Sequence, residues 1–402
     1  MCASRPPANG ATPADGATPV YHVITPGDHY SPETGSAIPT VVHGLATAAA
    51  VREANVRFPQ RVVVQEGTYP HRYPDAEALE YQGGPPPSRR ERIADAGLSR
   101  LGVPRRYAAR AYRPIAELLR TAPAGIVVAH NGAALVRLLR DTDHRVVLYA
   151  HNNLFRSYSA IEAARTADAC DRVICVSRFL RDDLARRVPL RSQDRFRVVT
   201  NGVDAQQFAP GPAQQSGTMR VAFIGRVVSE KGPDVLLRAA NLLQRDDLEF
   251  TIIGSQGFDR NAPLSPYEQE LRQLAGADPR VHFEPFTDRA ALPERMRDFD
   301  VLVVPSRWPE PWALTVGEGM ASGLVVVAAA IGGIPEQVGD SGVLVAPDDP
   351  PALARALLAL ADDPGARREY GRSARENAVR QDWSSSWGQF EAVISELAWR
   401  PS

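Results

Sequence analysis

Two cations flank a strand-to-helix turn in the string FIGRVVSEKG, residues 223–232. Of the 46 lysines and arginines in the chain, Lys231 is the one lysine, and it follows Arg226 by five positions. An ammonium is a compact, strongly hydrated charge, whereas a guanidinium is a planar fork. A lysine in so arginine-rich a chain indicates a position that needs the compact charge, with chance placement as the alternative. Cations beside such a turn are typical of phosphate binding.

Two glutamates, Glu310 and Glu318, are separated by seven residues in the stretch 307–336. Glu310 follows a predicted strand and lies in a proline-rich turn, which favours extended backbone. Glu318 falls about one turn into the next predicted helix. Two carboxylates at the mouth of one strand can bind hydroxyl groups on two parts of one ligand. The alternative is one glutamate in a first helical turn and one that is only solvated.

Short apolar runs alternate with amphipathic stretches along the whole chain, which is typical of parallel sheets covered by helices on both faces. In the first half, strands are predicted at 21–24, 61–65, 125–130, 145–151, 171–177 and 196–202, and helices near 40–55, 107–120, 132–140, 157–168 and 178–187. In the second half, strands are predicted at 219–225, 248–254, 280–286, 300–306, 324–330 and 342–347, with a helix at 350–362. The sequence therefore predicts an α/β protein with two doubly wound sheets in succession. Ligands of such sheets bind beyond the carboxyl ends of the strands, so we expect the site in a cleft between two domains.

The domain boundaries follow from composition. Residues 1–19 are rich in Ala, Pro, Gly and Thr and are predicted to be a disordered tail. A first domain is predicted over 20–200, a polar linker over 201–218 and a second domain over 219–383. A last amphipathic helix, capped by Ser384 or Ser385, is expected within 384–402 and to return to the first domain.

Five segments, in order, resemble the retaining glycosyltransferases of family 4, which have the GT-B fold of two Rossmann-like domains. EPWALTVGEGMASG is similar to the E-x7-E motif of that family, and FIGRVVSEKGPDVLLRAA to its phosphate-binding turn. VVTNGVDAQQF resembles its domain-linker signature, ADACDRVICVSRFLRDDL the preceding strand and helix, and GGIPE a late glycine turn. The resemblance covers residues 150–340 well and the first 150 residues more loosely.

The resemblance implies roles for residues of the second domain. Arg226 and Lys231 would bind the diphosphate of a nucleotide sugar. Glu318 would hold the ribose hydroxyls and Glu310 the hydroxyls of the donor sugar. The N–H groups of Ala313, Leu314 and Thr315 would help hold sugar and phosphate, although the family usually has Phe and Gly where this chain has Trp312 and Ala313.

In the first domain, His151 ends a predicted strand and resembles the cleft histidine of the family, which faces the donor sugar and the acceptor. His130 ends the neighbouring strand, and His130 and Asn152 are expected on the acceptor side. Acceptor recognition is expected in 26–35 and 66–106, which places Tyr30 on that side as well. Gly35 precedes the first helix, where the family often has a glycine pair whose N–H groups lie near phosphate or acceptor.

Composition excludes several other classes. The formal net charge is −1, which indicates no bulk attraction to nucleic acid. Cys2, Cys170 and Cys175 are too few for a disulfide framework or a cysteine-based metal site, and Cys170 and Cys175 are predicted to be small core residues. No run approaches the ~18 apolar residues of a membrane span, so a cytoplasmic location is expected. Residues 89–113 hold eight arginines and are predicted to be a solvated helix face, with an anionic membrane or a phosphorylated acceptor as the alternative.

These observations favour a retaining, metal-independent hexosyltransferase that uses a UDP-sugar and a small-molecule or natural-product acceptor. The arginine-rich composition indicates a GC-rich genome such as that of an actinomycete, where antibiotic biosynthesis is one setting. One alternative is a GDP-mannose-type transferase acting on a cell-envelope lipid or polysaccharide. Another is a non-catalytic protein that binds a sugar or nucleotide sugar. A nicotinamide-dependent dehydrogenase is disfavoured, since the chain lacks a G-x-G-x-x-G after a strand. The sequence leaves the oligomeric state open.

Overall fold

A computed structural model describes residues 16–84, 87–99, 105–212, 217–257 and 259–398. The chain forms two compact units. Unit 1 runs to Ser31 and then comprises Ser36–Thr200 and the chain from Ser386 onward. Unit 2 comprises Pro32–Gly35 and Asn201–Ser385.

Unit 1 contains a parallel sheet of seven strands: β1 Val20–Val23, β2 Gln60–Gln65, β3 Glu77–Tyr81, β4 Ile126–His130, β5 Arg145–Ala150, β6 Arg172–Cys175 and β7 Phe196–Val198. Its helices are α1 Ala37–Val51, α2 Arg89–Ser99, α3 Arg106–Thr121, α4 Ala133–Leu138, α5 Ala160–Asp168, α6 Arg178–Ala185 and α7 Leu190–Gln193. The strand order is β3-β2-β1-β4-β5-β6-β7. The order therefore reverses between β1 and β4, which is the switch point of a doubly wound sheet.

Unit 2 contains six parallel strands: β8 Met219–Ile224, β9 Leu248–Ile253, β10 Val281–Glu284, β11 Val301–Val304, β12 Val325–Ala329 and β13 Val343–Val345. Its helices are α8 Pro233–Leu242, α9 Pro266–Ala275, α10 Leu292–Met296, α11 Leu314–Ala321, α12 Ile334–Val338, α13 Pro350–Asp362 and α14 Pro364–Arg380. The strand order is β10-β9-β8-β11-β12-β13, with its switch point between β8 and β11.

The two faces of the second sheet carry separate hydrophobic clusters because successive side chains of a strand point to opposite faces. Val221 and Phe223 of β8 pack in the cluster that contains Leu236 of α8 and Leu357 of α13. Ala222, which lies between them in β8, packs in the other cluster. That cluster includes Ala222, Ile224, Leu302, Val316, Met320, Val338 and Ala374. Helices thus cover both faces, as the near-continuous apolar strands predict.

The predicted fold class is confirmed: both halves are parallel, doubly wound sheets, and every predicted strand is present. Strand β3 was not predicted. It is an edge strand whose sequence EALEY mixes charged and apolar residues and is only partly buried, so it lacks the apolar run of the inner strands.

The predicted tail 1–19 lies mostly outside the described residues, but its last residues belong to the fold. The Thr18 N–H donates to the Arg57 carbonyl at 2.7 Å, and the Ile126 N–H donates to the Pro19 carbonyl at 2.9 Å. In the segment predicted as a linker, the described residues 201–212 pack into unit 2, where Val203 and Phe208 are buried.

The last helix, α15, spans Trp383–Ser395 and belongs to unit 1 from Ser386 onward. Its predicted cap was wrong: Ser384 and Ser385 lie inside the helix, and the Asp382 carboxylate accepts from the Ser385 N–H at 2.7 Å. An aspartate one residue before the helix competes better for these N–H groups than a serine within it. Among the described helices, none is both long and apolar enough to cross a bilayer.

Candidate functional site

The loops that follow β8 and β11 meet beside the switch point of the second sheet. Lys231 Nζ donates to Glu310 Oε1 at 2.5 Å, and Ser306 Oγ donates to the same oxygen at 3.2 Å. The Lys231 side chain is 29% exposed and that of Glu310 is 9% exposed. A carboxylate that is nearly buried is therefore held on one oxygen by a cation and a hydroxyl, and its cation still reaches solvent.

Backbone contacts explain how Lys231 reaches this position. The 3-10 turn Ser229–Lys231 ends at Gly232, which has a φ of 70°. A Cβ at Gly232 would lie 2.2 Å from the Pro305 carbonyl oxygen, so only glycine permits the close approach of the two loops. The Glu230 carbonyl then accepts from the N–H groups at 307 and 308, at 2.9 and 3.2 Å.

The late glycine turn holds the backbone of Glu310. The Gly333 N–H donates to the Glu310 carbonyl at 2.6 Å. A Cβ at Gly332, where φ is 66°, would lie 2.3 Å from the same carbonyl oxygen. The GGIPE motif therefore acts by packing against Glu310, which fixes the direction in which that side chain leaves the loop.

Glu318 is 2% exposed and lies in α11. Its Oε1 is 2.5 Å from a guanidinium nitrogen of Arg289, whose Cζ lies 5.6 Å from the ring centroid of Phe208. The other oxygen, Oε2, is buried and has no hydrogen-bond partner among the described residues. Leaving a buried carboxylate oxygen unpaired is costly, so Oε2 is available to accept from a hydroxyl of a ligand.

Ala313 differs from the prediction. Its φ of −95° is one that any residue adopts, so alanine fits where the family usually has glycine. Its N–H, however, donates to Gln337 Oε1 at 3.2 Å, and its carbonyl accepts from Gln337 Nε2 at 3.0 Å. The Ala313 N–H, which was predicted to bind the ligand, is thus already hydrogen-bonded. The side-chain amide of Gln337 bonds to both the N–H and the carbonyl of Ala313. Leu314 and Thr315 begin α11, where N–H groups precede any intrahelical acceptor.

Arg226 lies two residues after the end of β8, and its side chain is exposed. The Arg226 guanidinium makes no hydrogen bond or ion pair with the described residues, so the structure does not join it to Lys231 and Glu310. The guanidinium in that region that does make contacts is Arg307, which pairs with Asp234 at 2.7 Å and with Asp348 at 2.7 Å. Burial raises the pKa of Asp234, but hydrogen bonds from Arg307 and Tyr267 outweigh it and lower the pKa overall.

In unit 1 the predicted histidines belong to a longer hydrogen-bonded chain. His151 Nε2 lies 2.8 Å from His130 Nδ1, and His130 Nε2 lies 2.9 Å from His22 Nδ1. His22 Nε2 lies 2.9 Å from Gln60 Oε1. His130 is fully buried between His22 and His151, and its acceptor-side position stays a prediction. Sequence reasoning missed His22 and Gln60.

Burial keeps the three imidazoles neutral. It lowers the pKa of His22 to about 4, against a hydrogen bond to Gln60 that raises it, and lowers the pKa of His151 to about 3. The pKa of His130 lies well below its usual value, because of burial first and then the neighbouring histidines. At neutral pH His151 is therefore a hydrogen-bonding group rather than a cation.

The other predicted site residues of unit 1, Asn152, Tyr30 and Gly35, differ in their exposure and position. Asn152 is exposed, next to His151. Asn131, which was not predicted, has a φ of 53°, and its Oδ1 accepts from the His151 N–H at 2.8 Å. Tyr30 is 1% exposed and packs in a hydrophobic cluster, and its acceptor-side position stays a prediction. Gly35 lies two residues before α1.

The arginine-rich segment 89–113 forms α2 and the first half of α3, apart from residues 100–104, which lie outside the described residues. Asp95 is buried and accepts from the N–H groups of Tyr107 and Ala108 at 3.2 and 2.8 Å, which caps α3. Arg105 pairs with Glu162 at 2.7 Å. Part of this segment is thus structural. Within the described chain, no group of three or more His, Cys, Asp or Glu residues is placed to hold a metal ion.

Two family models match the chain. The model for Glycosyltransferase Family 4 matches residues 40–207, and the model for Glycosyl transferases group 1 matches residues 218–363. Together the two matches take in most of the chain, which belongs to this family of glycosyltransferases. The family predicted from the five motifs is confirmed.

The chain is similar to curated relatives and to solved structures. It is 34% identical over 238 residues to a D-inositol 3-phosphate glycosyltransferase of Corynebacterium kroppenstedtii, a match that covers 54% of this chain and 52% of the relative. It is 35% identical over 240 residues to D-inositol 3-phosphate glycosyltransferase 2 of Catenulispora acidiphila, covering 55% of each. The chain thus spans about half the length of these relatives.

Among solved structures, a sucrose-phosphate synthase of Thermosynechococcus elongatus superposes with a TM-score of 0.72 at 19% identity, covering 94% of this chain and 99% of that one. Anabaena HepE in complex with UDP and glucose superposes with a TM-score of 0.65 at 17% identity, covering 94% and 99%. These likenesses establish the GT-B fold.

Proposed function

We propose that the protein is a retaining glycosyltransferase that moves a hexose from a UDP-sugar to a hydroxyl group of a small acceptor. The observation that carries this proposal is the placement of Lys231, Glu310 and Ser306 at the switch point of the second sheet, where ligands of doubly wound sheets bind. The second domain would bind the donor and the first domain the acceptor.

Lys231 and Arg226 would neutralise the diphosphate of the donor. The bond between the anomeric carbon and the phosphate oxygen breaks through a transition state with oxocarbenium character, and negative charge builds on the departing diphosphate. Positive charge already in place lowers the barrier most effectively. Lys231 is held by Glu310 and reaches solvent, and Arg226 has no competing carboxylate among the described residues. Two cations supply this charge without a metal ion.

The acceptor oxygen would bond to the anomeric carbon on the face that the diphosphate leaves. The acceptor proton would pass to the departing phosphate oxygen, so atoms and charge balance without a covalent enzyme intermediate. The configuration at the anomeric carbon is then retained. His151 has too low a pKa to act as a strong base, which agrees with a proton that goes to phosphate.

Two carboxylates would orient the donor. Glu310 has one oxygen held by Lys231 and Ser306, which leaves the other for a hydroxyl of the sugar. Glu318 has one oxygen on Arg289 and one buried and unpaired, which suits a ribose hydroxyl. The Leu314 and Thr315 N–H groups, at the start of α11, would contact sugar or phosphate.

Names of similar proteins support the choice of ligands. The HepE complex contains UDP and glucose, which favours a UDP-sugar over a GDP-sugar. The curated relatives are named for D-inositol 3-phosphate, which favours a small polyol acceptor over a polysaccharide. Asn152, exposed beside His151, is the proposed acceptor-side contact, and the Gly35 N–H is proposed to lie near phosphate or acceptor.

The test is a panel of UDP- and GDP-sugars with small polyols, including inositol phosphates, read by release of free nucleotide and by mass of the product. We expect acceptor-dependent release of UDP, unchanged by a chelator. Release of GDP with a lipid or polysaccharide acceptor would support the GDP-mannose-type alternative. Nucleotide-sugar binding without turnover for the whole panel would support a non-catalytic binding protein.

A further inference from the structure

The chain of Gln60, His22, His130 and His151 crosses four neighbouring strands of the first sheet. In the sheet register Val20 pairs with Gln60, His22 with Val128, and His130 with Tyr149. Each step of the chain therefore moves one strand across and two residues towards the carboxyl ends. Because side chains two residues apart share a face, all four side chains lie on one face of the sheet.

The direction of the hydrogen bonds follows from Gln60. Its Nε2 donates to the Phe58 carbonyl at 2.5 Å, which fixes its Oε1 towards His22. An amide oxygen only accepts, so His22 must carry its proton on Nε2. Neutral His22 then accepts on Nδ1 from His130 Nε2–H, and His130 accepts on Nδ1 from His151 Nε2–H. His151 is left with an unprotonated Nδ1 at the open end of the chain.

We propose that Gln60 is a positioning residue that fixes the tautomer of all three histidines, so that His151 presents its Nδ1 lone pair to a hydroxyl group of the bound ligand. The contact with a ligand hydroxyl rests on the proposed glycosyl transfer, whereas the tautomers follow from the hydrogen bonds alone. His22 and His130 transmit the direction of the chain without touching the ligand.

This row of hydrogen-bonded side chains orients His151 and does not conduct protons. A relay needs a terminal group that takes the proton, and the Gln60 amide does not. The surroundings also disfavour charge. His22 stacks on Phe390 of α15 at 5.9 Å between ring centroids, and Tyr149 stacks on His130 and His151 at 5.2 and 4.5 Å. The aromatic rings, together with the full burial of His22 and His130, keep the histidines neutral and their hydrogen bonds strong.

The test is nitrogen NMR of the full chain labelled with 15N-histidine, since its eight histidines give few imidazole signals. Substitution of His22, His130 and His151, one at a time, assigns their signals. In the wild type we expect His22, His130 and His151 to be protonated on Nε2 and unprotonated on Nδ1. Protonation on Nδ1 of any of the three in the wild type overturns the proposal, and this measurement needs no variant to fold.

Gln60→Met removes the accepting oxygen at nearly constant size. Without that oxygen, His22 Nε2 has no partner whether it carries a proton or not, so neither direction of the hydrogen bonds is favoured. We therefore expect signals of Nδ1-protonated histidine to emerge. Gln60→Glu keeps an acceptor and should keep the tautomers. Gln65→Met is the matched control, since Gln65 lies in the same strand on the opposite face and should change none of the three. Unchanged tautomers in Gln60→Met would refute the role of Gln60.

The functional measurement uses the same variants. Loss of one oriented hydrogen bond to the ligand predicts a fall of roughly tenfold in kcat/KM for Gln60→Met, with most activity kept in Gln60→Glu. If the tautomers change and kcat/KM does not, the role of His151 Nδ1 at the ligand is wrong. If the wild type has the expected tautomers but transfers no sugar, the proposed function fails and the assignment of Gln60 stands.

Discussion

Lys231 Nζ and Glu310 Oε1 lie 2.5 Å apart, although 79 positions separate the two residues in sequence. Both follow strands that adjoin the switch point of the second sheet, β8 and β11. The ion pair makes the cation part of a preorganised unit, since Ser306 and the Gly333 N–H also hold Glu310. A charge held in place before the ligand arrives needs no reorganisation at the transition state.

Replacement of Lys231 tests the diphosphate role. We expect Lys231→Ala to lower kcat by about 100-fold, because it removes charge from the departing diphosphate and leaves Glu310 with only a hydroxyl partner. Lys231→Arg should lose about tenfold, since the fork does not replace the compact charge at one carboxylate oxygen. The measurement is steady-state release of nucleotide.

Glu230→Gln is the control for Lys231. Glu230 is exposed and contacts the neighbouring loop through its backbone carbonyl, so its side chain should not matter. Near wild-type turnover in Lys231→Ala, with the fold intact by circular dichroism, would remove Lys231 from the proposed mechanism.

Replacement of Glu318 tests the ribose contact. We expect Glu318→Gln to weaken binding of UDP by about tenfold, because the buried Oε2 loses its charge. The same variant should bind 2′,3′-dideoxy-UDP as weakly as the wild type does, since that nucleotide lacks the hydroxyls in question. Calorimetric titration of both proteins with both nucleotides gives a thermodynamic cycle.

The matched control for this cycle is Glu270→Gln, an exposed glutamate on α9 of the same unit. It should leave both affinities unchanged. If Glu318→Gln weakens both nucleotides equally, Glu318 supports the fold through Arg289 and does not contact ribose.

The alternation of apolar strands and amphipathic helices was enough to predict both sheets, because a buried parallel strand consists of a short run of consecutive apolar residues. The ordered motifs likewise predicted the family. Lys231, Glu310 and Glu318 were singled out because each belongs to a local motif between a strand and the helix that follows it, and their contacts with a ligand stay predictions. The edge strand β3 carries no such signal, so it was missed.

The partners of these residues were not predictable in the same way. Arg289 meets Glu318, Gln337 meets Ala313, and Gln60 meets His22 only once sheet register and helix packing are set. Arginine and glutamine occur throughout the chain, so residue type alone did not distinguish these positions. The burial of His130 and Tyr30 was likewise not predictable, because a position at a strand end or in the segment 26–35 does not say how deeply a side chain lies.

A glycine pair tests how the Lys231 loop is positioned. Gly232 and Gly339 both have positive φ, of 70° and 54°. A Cβ at Gly232 would collide with the Pro305 carbonyl, whereas a Cβ at Gly339 would meet nothing within 4 Å. Gly339 has a ψ of −134°, whereas Gly232 has the ψ of 31° of the left-handed helical region, so alanine is strained by the backbone alone at both positions. We expect Gly339→Ala to lower the unfolding free energy by about 1–3 kcal/mol and to leave turnover unchanged. Gly232→Ala should lower both the unfolding free energy and turnover, because the Pro305 carbonyl must move. Equal turnover of the two variants would contradict the role of the close approach.

The buried histidines predict an acid-sensitive first domain. Folding lowers the pKa of His22 from 6.5 to about 4, so the unfolded chain binds more protons than the folded one between these values. The contribution of His22 to the unfolding free energy is therefore complete above pH 6.5 and falls as the pH is lowered towards 4, by on the order of 3 kcal/mol.

His22→Leu should make the unfolding free energy less dependent on pH over that window, while its value at pH 7 falls. His282→Gln, at an exposed position on β10, should keep the slope of the wild type. Urea denaturation from pH 7 to pH 4 measures all three proteins, and an unchanged slope in His22→Leu would show that His22 does not govern the loss.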